Sequence, residues 1–144
     1  MDPLSITAST IAIIQIADKI ISVCKDYIRT VKDAPSDLRT ILIEVGSVKC
    51  VIEVLQLLVS EETDGSSDIL KKLKRDDGPV AGCKEALTVL ENQLPKPQEY
   101  SRGAKRRKID ALAWPFKEPR ARKALEDIGR HKATISLALT TETA

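Results

Sequence analysis

The chain has 144 residues, 42% of them apolar, which is enough for one ordinary hydrophobic core and too little for two. Only 3% are aromatic, so aliphatic side chains must fill that core, as they do in helical bundles. The net charge of +2 argues neither for nor against a polyanionic partner, and the excess positive charge lies at the C-terminal end. We therefore predict one domain over residues 1–144.

The first predicted element is a long helix from Ser5 to Val31, a run without Gly or Pro. In its second half, polar residues recur at spacings of three and four and leave an apolar face that can pack in a bundle. The predicted packing residues of that face are Ile16, Ala17, Ile20, Val23, Cys24, Tyr27, Ile28 and Val31.

The first half of this helix has no charge between Pro3 and Ala17, so it is apolar nearly all round. Its fifteen residues, at about 1.5 Å each, reach roughly 22 Å, which is less than the roughly 30 Å hydrocarbon core of a bilayer. A permanent transmembrane segment is therefore not predicted. Two interpretations remain open: a central core helix of the bundle, or a segment at the chain end that can leave the bundle.

The second predicted helix follows the turn at Pro35, is capped by Ser36 and runs to about Val59. Its apolar residues keep the 3.6-residue period, and further apolar residues widen the stripe. A stripe of this width predicts a central helix with neighbours on both sides. The periodic residues are Leu38, Ile41, Leu42, Val45, Val48, Ile52, Leu55 and Val59, and the widening residues are Ile43, Cys50, Val51 and Leu58.

Further helices are predicted in the rest of the chain. An acidic loop over residues 60–68 leads into a short helix, Gly78-Pro79 starts a helix that ends before Pro95, and Pro119 opens the last one. We thus predict an all-α fold, a single helical bundle of about four to six helices with a long N-terminal helix. The apolar residues that mark these later helices are Ile69, Leu70, Leu73, Val80, Cys83, Leu87, Leu90, Leu94, Ala121, Ala124, Leu125, Ile128, Ile135 and Leu139.

No catalytic, cofactor-binding or metal-binding residues are predicted, and hence no enzymatic activity. His131 is the only histidine, and no motif links it to a catalytic triad or a metal site. The sequence also has no phosphate-binding glycine motif and no paired cysteine ligands. Cys24, Cys50 and Cys83 stand among apolar neighbours and are predicted to be buried thiols in a reducing cytosol. No signal peptide is predicted, so we expect an intracellular protein.

A basic run near the C-terminal end has three interpretations. It consists of Arg102, Lys105, Arg106, Arg107 and Lys108. The run can be a solvated loop, a contact for anionic lipid head groups at about 1 kcal/mol per charge, or a nuclear-import or nucleic-acid patch. Nucleic acid is the least favoured partner, because no aromatic residues are interleaved for base stacking.

Two stretches of the chain resemble fungal domains of the HeLo-like class, and together they cover nearly the whole chain. The first is the opening Met1-Asp2-Pro3-Leu4-Ser5-Ile6-Thr7-Ala8-Ser9 with the Ile- and Ala-rich helix that follows it. The second is Leu112-Ala113-Trp114-Pro115-Phe116-Lys117-Glu118, continued by Leu125, Arg130-His131-Lys132 and Leu137-Ala138-Leu139. The resemblance implies the N-terminal domain of a fungal NOD-like receptor, with further receptor domains downstream in the same chain.

In those relatives, oligomerisation releases an N-terminal helix that permeabilises the plasma membrane and kills the cell. The resemblance therefore implies a cytoplasmic protein that self-associates and relocates to the plasma membrane on activation. The residues placed where relatives have their membrane-inserting segment are Leu4, Ile6, Ile11, Ile13, Ile14 and Ile16. Some relatives have a glycine-rich packing motif there, whereas this chain has no glycine before Gly46 and offers only Ser and Ala as small residues.

Two functions thus follow as hypotheses. The first is a cell-death effector domain of an immune-type receptor, which acts by oligomerisation and by membrane targeting through its N-terminal helix. The alternative is a non-enzymatic adaptor that binds proteins through helix–helix contacts and does not enter membranes.

Overall fold

The computed structural model describes the backbone of residues 3–30, 37–61, 73, 78–94 and 119–143. These residues form four long α-helices and no strand. The helices are α1 (Pro3–Thr30), α2 (Asp37–Glu61), α3 (Pro79–Asn92) and α4 (Pro119–Thr143). The predicted all-α bundle with a long N-terminal helix is confirmed.

Proline marks the start of both C-terminal helices, because its fixed φ suits the first helical turn, where an N–H is not needed. Gly78 is the N-cap of α3 in an extended conformation, and Pro79 follows it. The first backbone hydrogen bond then runs from the Gly82 N–H to the Gly78 carbonyl at 3.0 Å. Helix α4 likewise begins at Pro119, as predicted.

The four helices pack as a ring. Helix α1 packs against α2 and α3, and α4 completes the ring by packing against the same two helices. Helix α2 therefore has a neighbour on each side, as its wide apolar stripe predicts. Each helix directs one face to the common core and one face away from it.

The core is almost entirely aliphatic, in keeping with the composition. Tyr27 is the one aromatic residue of the described part, and it is fully buried. Ala121 and Ala124 give α4 a small-residue face toward the core. The largest fully buried side chains are Tyr27, Ile13, Ile20, Leu38, Ile41, Ile52, Leu55, Leu87 and Leu90.

Three residues predicted to be buried lie at the surface instead. Ile28 is 40% exposed, Ile43 is 66% exposed and Cys50 is exposed. Ile43 and Cys50 each lie two positions before a buried residue of α2, which at 3.6 residues per turn puts them about 160° around the helix from the core. Ile28 lies about 100° beyond Tyr27, at the edge of the contact face. The buried faces of α1 and α2 are thus narrower than their apolar stripes.

Several predicted features fall outside the described residues. They are the turn at residues 31–36, the acidic loop from residue 62 onward, the short helix apart from Leu73, and the whole stretch 95–118 with its basic run. Ser60 and Glu61, which were predicted to open the acidic loop, instead end α2. Leu73, which the sequence predicts to lie in the short helix, is described and is buried.

Candidate membrane and partner-binding surfaces

The N-terminal half of α1 presents an uncharged surface to solvent. Side chains are described from Thr7 onward, and the first charged one is Asp18. The exposed residues of this half are Ala8, Ile11 and Gln15, flanked by half-buried Thr7, Ser9, Ala12, Ile14 and Ile16. We name this set the α1 outer surface. Ile11 is its most exposed large side chain, at 42%.

Few buried side chains hold the inner side of this half. Between positions 7 and 17 the fully buried residues are Thr10, Ile13 and Ala17, of which only Ile13 is large. The buried Thr10 hydroxyl donates to the Thr7 carbonyl at 2.8 Å. Because that hydrogen bond lies within α1, it does not depend on any other helix.

The C-terminal half of α1 is anchored much more firmly. Ile20, Val23, Cys24 and Tyr27 are all buried against the bundle. Full burial of each large apolar side chain stabilises by roughly 1.5–3 kcal/mol, so this half resists separation from the core more strongly than the N-terminal half does.

Two ion pairs mark the boundary between the halves. Lys49 of α2 contacts Asp18 at 2.6 Å, and Lys19 contacts Glu91 of α3 at 3.8 Å. The hydrogen bond to Asp18 raises the pKa of Lys49 above its ordinary value. All four groups are partly or largely exposed, so the pairs set the alignment of α1 more than they add stability.

The six residues implied by the HeLo-like resemblance do not share one environment. Ile11 is exposed, Ile14 and Ile16 are half-buried, and Ile13 is fully buried. Leu4 and Ile6 belong to α1, but their side chains lie outside the described residues. The anionic-lipid candidates Arg102, Lys105, Arg106, Arg107 and Lys108 also lie outside them.

The segment Thr7–Arg29 is long and apolar enough to cross a membrane, judged by length and composition alone. Its 23 residues correspond to about 34 Å of helix at 1.5 Å per residue. Core helices of soluble proteins and signal sequences meet the same criterion, and a third of the tested window is buried in the bundle. This finding is therefore weak support for membrane contact.

A second apolar surface lies on the outer side of α2, and the sequence analysis missed it. Its members are Ile43, Ser47, Cys50, Val54 and Leu57, which we name the α2 outer stripe. They are spaced four, three, four and three residues apart and fall within about 80° of the helix circumference. Ile43 and Leu57 are among the most exposed large apolar side chains, at 66% and 63%. The heptad spacing is visible in the sequence, but of its members the sequence analysis assigns only Ile43 and Cys50, and it assigns them to the widened core stripe.

A groove of about 350 Å³ lies between α3 and α4, and His131 borders it. The His131 ring lies against Gly82, where a Cβ atom would come within 2.5 Å of Nε2. Burial lowers the pKa of His131 and Arg130 lowers it further, while Asp127 and Glu85 act in the opposite direction. The groove is lined by Glu85, Val89, Arg120, Lys123 and Asp127 as well, so its charges favour neither a cation nor an anion.

The three thiols differ sharply in accessibility. Cys24 and Cys83 are buried, and their burial raises the pKa of each thiol to about 12. They are therefore protonated and unreactive at neutral pH. Cys50 is exposed on the α2 outer stripe, which makes the prediction of three buried thiols wrong for this residue.

Together these features define an all-α bundle, and the candidate sites found in the described part of the chain are apolar helix surfaces. Within the described ranges, no three His, Cys, Asp or Glu side chains are grouped so that they could hold a metal ion. The chain belongs to the family described as pigment biosynthesis cluster protein PigL N-terminal, whose model matches residues 1–144. No curated protein and no solved structure matches the chain. The HeLo-like resemblance stays a prediction.

Proposed function

We propose that this domain is a membrane-targeting effector module whose N-terminal half of α1 leaves the bundle and enters an anionic membrane on oligomerisation. The observation that carries the proposal is the α1 outer surface, which is uncharged over the whole described length from Thr7 to Ala17 and exposes Ile11. A helix that only covers a core keeps charges on its outer face, as the second half of α1 does.

The cost of releasing this half is modest. Among the side chains described from Thr7 to Ala17, Ile13 is the only large one that must leave a fully buried site, at roughly 1.5–3 kcal/mol. The half-buried Ile14 and Ile16 add less, and in a membrane all three side chains would again be in an apolar environment. The ion pairs of Asp18 and Lys19 lie beyond the released segment, so they can stay intact.

The polar groups of the segment are suited to the same move. Thr10 carries its hydrogen bond within α1, so its hydroxyl needs no new partner in lipid. Gln15 is the one long polar side chain between Thr7 and Ala17, and it lies three residues before Asp18, where the charged part of α1 begins. The segment is thus compatible with shallow insertion that stops where Asp18 and Lys19 begin.

The cellular role is proposed from the HeLo-like resemblance. We assign the domain to an immune-type receptor of fungi, in which self-association triggers membrane permeabilisation and cell death. The PigL family description associates its protein with a pigment biosynthesis cluster. That description suggests a fungal setting and assigns no reaction to this chain.

The test compares two isoleucines of the same helix. Ile11 and Ile28 are equally exposed, at 42% and 40%, but lie in the N-terminal and C-terminal halves of α1. Each is replaced by Asp, and the proteins are tethered through a C-terminal histidine tag to anionic vesicles that contain a nickel-chelating lipid. Tethering delivers all variants equally and raises their local concentration. The measurement is release of an encapsulated dye.

We expect Ile11→Asp to suppress dye release and Ile28→Asp to leave it near the wild-type level. An Asp near the centre of an inserted helix costs about 2.5–3.5 kcal/mol, which corresponds to a reduction of roughly a hundredfold in insertion. Thermal melts serve as the folding control, and Ile13 is avoided because it is fully buried. Equal dye release from both variants would contradict membrane entry by the N-terminal half.

The second candidate function is that of an adaptor that binds proteins and stays out of the membrane. The α2 outer stripe favours it, because a heptad-spaced apolar surface is the type of surface on which another helix packs. Specific self-association without any binding to anionic vesicles at low salt would support the adaptor. Vesicle binding that depends on Ile11 would exclude it.

A further inference from the structure

The α2 outer stripe has a pattern of large and small residues that complements itself. Ile43 and Leu57 stand at its ends, Cys50 lies at its midpoint, and Val54 lies on the side of the midpoint opposite Ser47. If two copies of α2 lie antiparallel with their Cys50 residues level, position i of one copy faces position 100 − i of the other. Ile43 then meets Leu57, and large residues never face large residues along the rest of the stripe.

The same register places a side chain opposite a vacant space. In this register Val54 of one copy faces Gly46 of the other copy. The residues of that other copy around Gly46 are Ile43, Ser47 and Cys50. These residues and Gly46 have the i, i+3, i+4, i+7 spacing of a hole in knobs-into-holes packing. Gly46 has open space around it, since a Cβ there would meet no atom within 4 Å. Val54 therefore fits against a wall made of a glycine and a serine.

The charges agree with an antiparallel arrangement. Between positions 45 and 58 the charged residues are Lys49 and Glu53. Lys49 is directed to Asp18 of α1, so Glu53 is the one charged residue near the stripe in this range. At the ends of the stripe, the register brings position 39 of one copy level with position 61 of the other, and these are an arginine and a glutamate in the sequence. A parallel pairing would instead bring like charges together at both ends.

We infer that the α2 outer stripe binds a second copy of this chain, with the two α2 helices antiparallel about a two-fold axis at Cys50. An isologous pair of this kind buries the same patch on both copies and closes at the dimer. The proposed function requires self-association, and this dimer would be its first step. To that extent the inference rests on the proposed function. Because it uses α2 and not α1, it can be tested without a membrane.

Cross-linking through Cys50 tests the position of the axis. Cys50 is the reactive thiol of the wild-type chain, since Cys24 and Cys83 are buried, with pKa values of about 12. A short bismaleimide should therefore join two chains through Cys50 alone. The matched control is Cys50→Ser with Ser22→Cys, which moves the exposed thiol to the outer face of α1. We expect a covalent dimer from the wild type and only collisional background from the control.

Two further variants test the antiparallel direction, both in the Cys50→Ser background. One carries Ile43→Cys and the other carries Leu57→Cys. The antiparallel register predicts that a mixture of the two cross-links more efficiently than either variant does alone. If each variant alone cross-links as well as the mixture, the helices are parallel and the inferred geometry is overturned.

Sedimentation measures the association itself. Leu57→Lys should raise the dimer dissociation constant by roughly tenfold or more, because it replaces the leucine that packs against Ile43 of the other copy by a charge, and does so at both ends of the symmetric contact. Leu137→Lys on α4 is the control, since Leu137 is equally a large exposed leucine, at 71%. Gly46→Leu should also weaken the dimer by filling the hole, while its melting temperature stays at or above that of the wild type because Leu favours the helix.

Three results would overturn the inference. They are a chain that stays monomeric over the whole concentration series, a dimer that is equally sensitive to Leu57→Lys and Leu137→Lys, and Cys50 cross-linking no better than that of the Ser22→Cys control. Dye release from vesicles that persists in the Leu57→Lys variant would refute this dimer as the first step while leaving membrane entry by α1 intact.

Discussion

The contact between α3 and α4 allows a quantitative test of the bundle at a single pair of residues. In Gly82→Ala, the new Cβ would lie 2.5 Å from Nε2 and 2.6 Å from Cε1 of His131, about 1 Å closer than the usual contact of roughly 3.5–4 Å between heavy atoms. Overpacking of this kind typically costs about 1–3 kcal/mol. The change from Gly to Ala in a helix returns about 0.5–1 kcal/mol. We therefore expect a net loss of roughly 0–2.5 kcal/mol in the free energy of unfolding.

The same substitution should have the opposite effect once the ring is removed. In the His131→Ala background the overlap is gone, so Gly82→Ala should stabilise by about 0.5–1 kcal/mol. The double-mutant cycle then gives a coupling free energy of roughly 1–3 kcal/mol. Urea unfolding of the wild type, the two single variants and the double variant measures this coupling, provided that the dependence of the unfolding free energy on urea concentration has the same slope in all four. A coupling free energy below about 0.5 kcal/mol would refute the reasoning, because the effects of substitutions at two sites that do not touch usually add to within that margin.

Three more predictions concern single groups. A chromogenic thiol reagent should label one thiol per folded chain, Cys50, and all three after unfolding, because burial protects Cys24 and Cys83; rapid labelling of more than one folded thiol would contradict this. The lowered pKa of His131 means that the folded state binds fewer protons, so its contribution to stability should be constant above pH 6.5 and should fall as the pH drops below that value. Between pH 8 and 5, the melting temperature of the wild type should therefore fall more than that of His131→Gln as the pH drops below 6.5. Parallel pH profiles of the two proteins would contradict this prediction. Ile13→Ala should cost about 2–5 kcal/mol in urea unfolding because Ile13 is fully buried, and a loss under about 1 kcal/mol would show that the site collapses or is solvated.

The helical framework could be predicted from local chemistry. The 3.6-residue period over residues 5–31 and 38–59, together with Pro79 and Pro119 at helix starts, determines the elements because these signals act within one or two turns. Burial at particular positions was harder to predict. Ile43 and Cys50 continue an apolar stripe in the sequence, but only the placement of α1 and α4 determines which part of the α2 circumference is covered.

The candidate surfaces could likewise be predicted only in part from the sequence. The absence of charge between Pro3 and Ala17 indicates the α1 outer surface directly. Which of its isoleucines faces the core depends on how α1 is rotated against its neighbours, so Ile13 and Ile11, two positions apart, have opposite environments. The contact of His131 with Gly82 joins residues 49 positions apart in the sequence, and no local pattern predicts such a pair.

An environment-sensitive fluorophore gives the most direct test of membrane entry by the N-terminal half of α1. The dye is attached to Ile11→Cys or Ile28→Cys in the Cys50→Ser background, where the remaining native thiols are buried. On tethering to anionic vesicles, the dye at position 11 should shift to the blue and be quenched by a lipid-borne quencher, while the dye at position 28 should keep its emission in water. Equal shifts at both positions, or no shift at position 11 in vesicles that leak, would contradict the account.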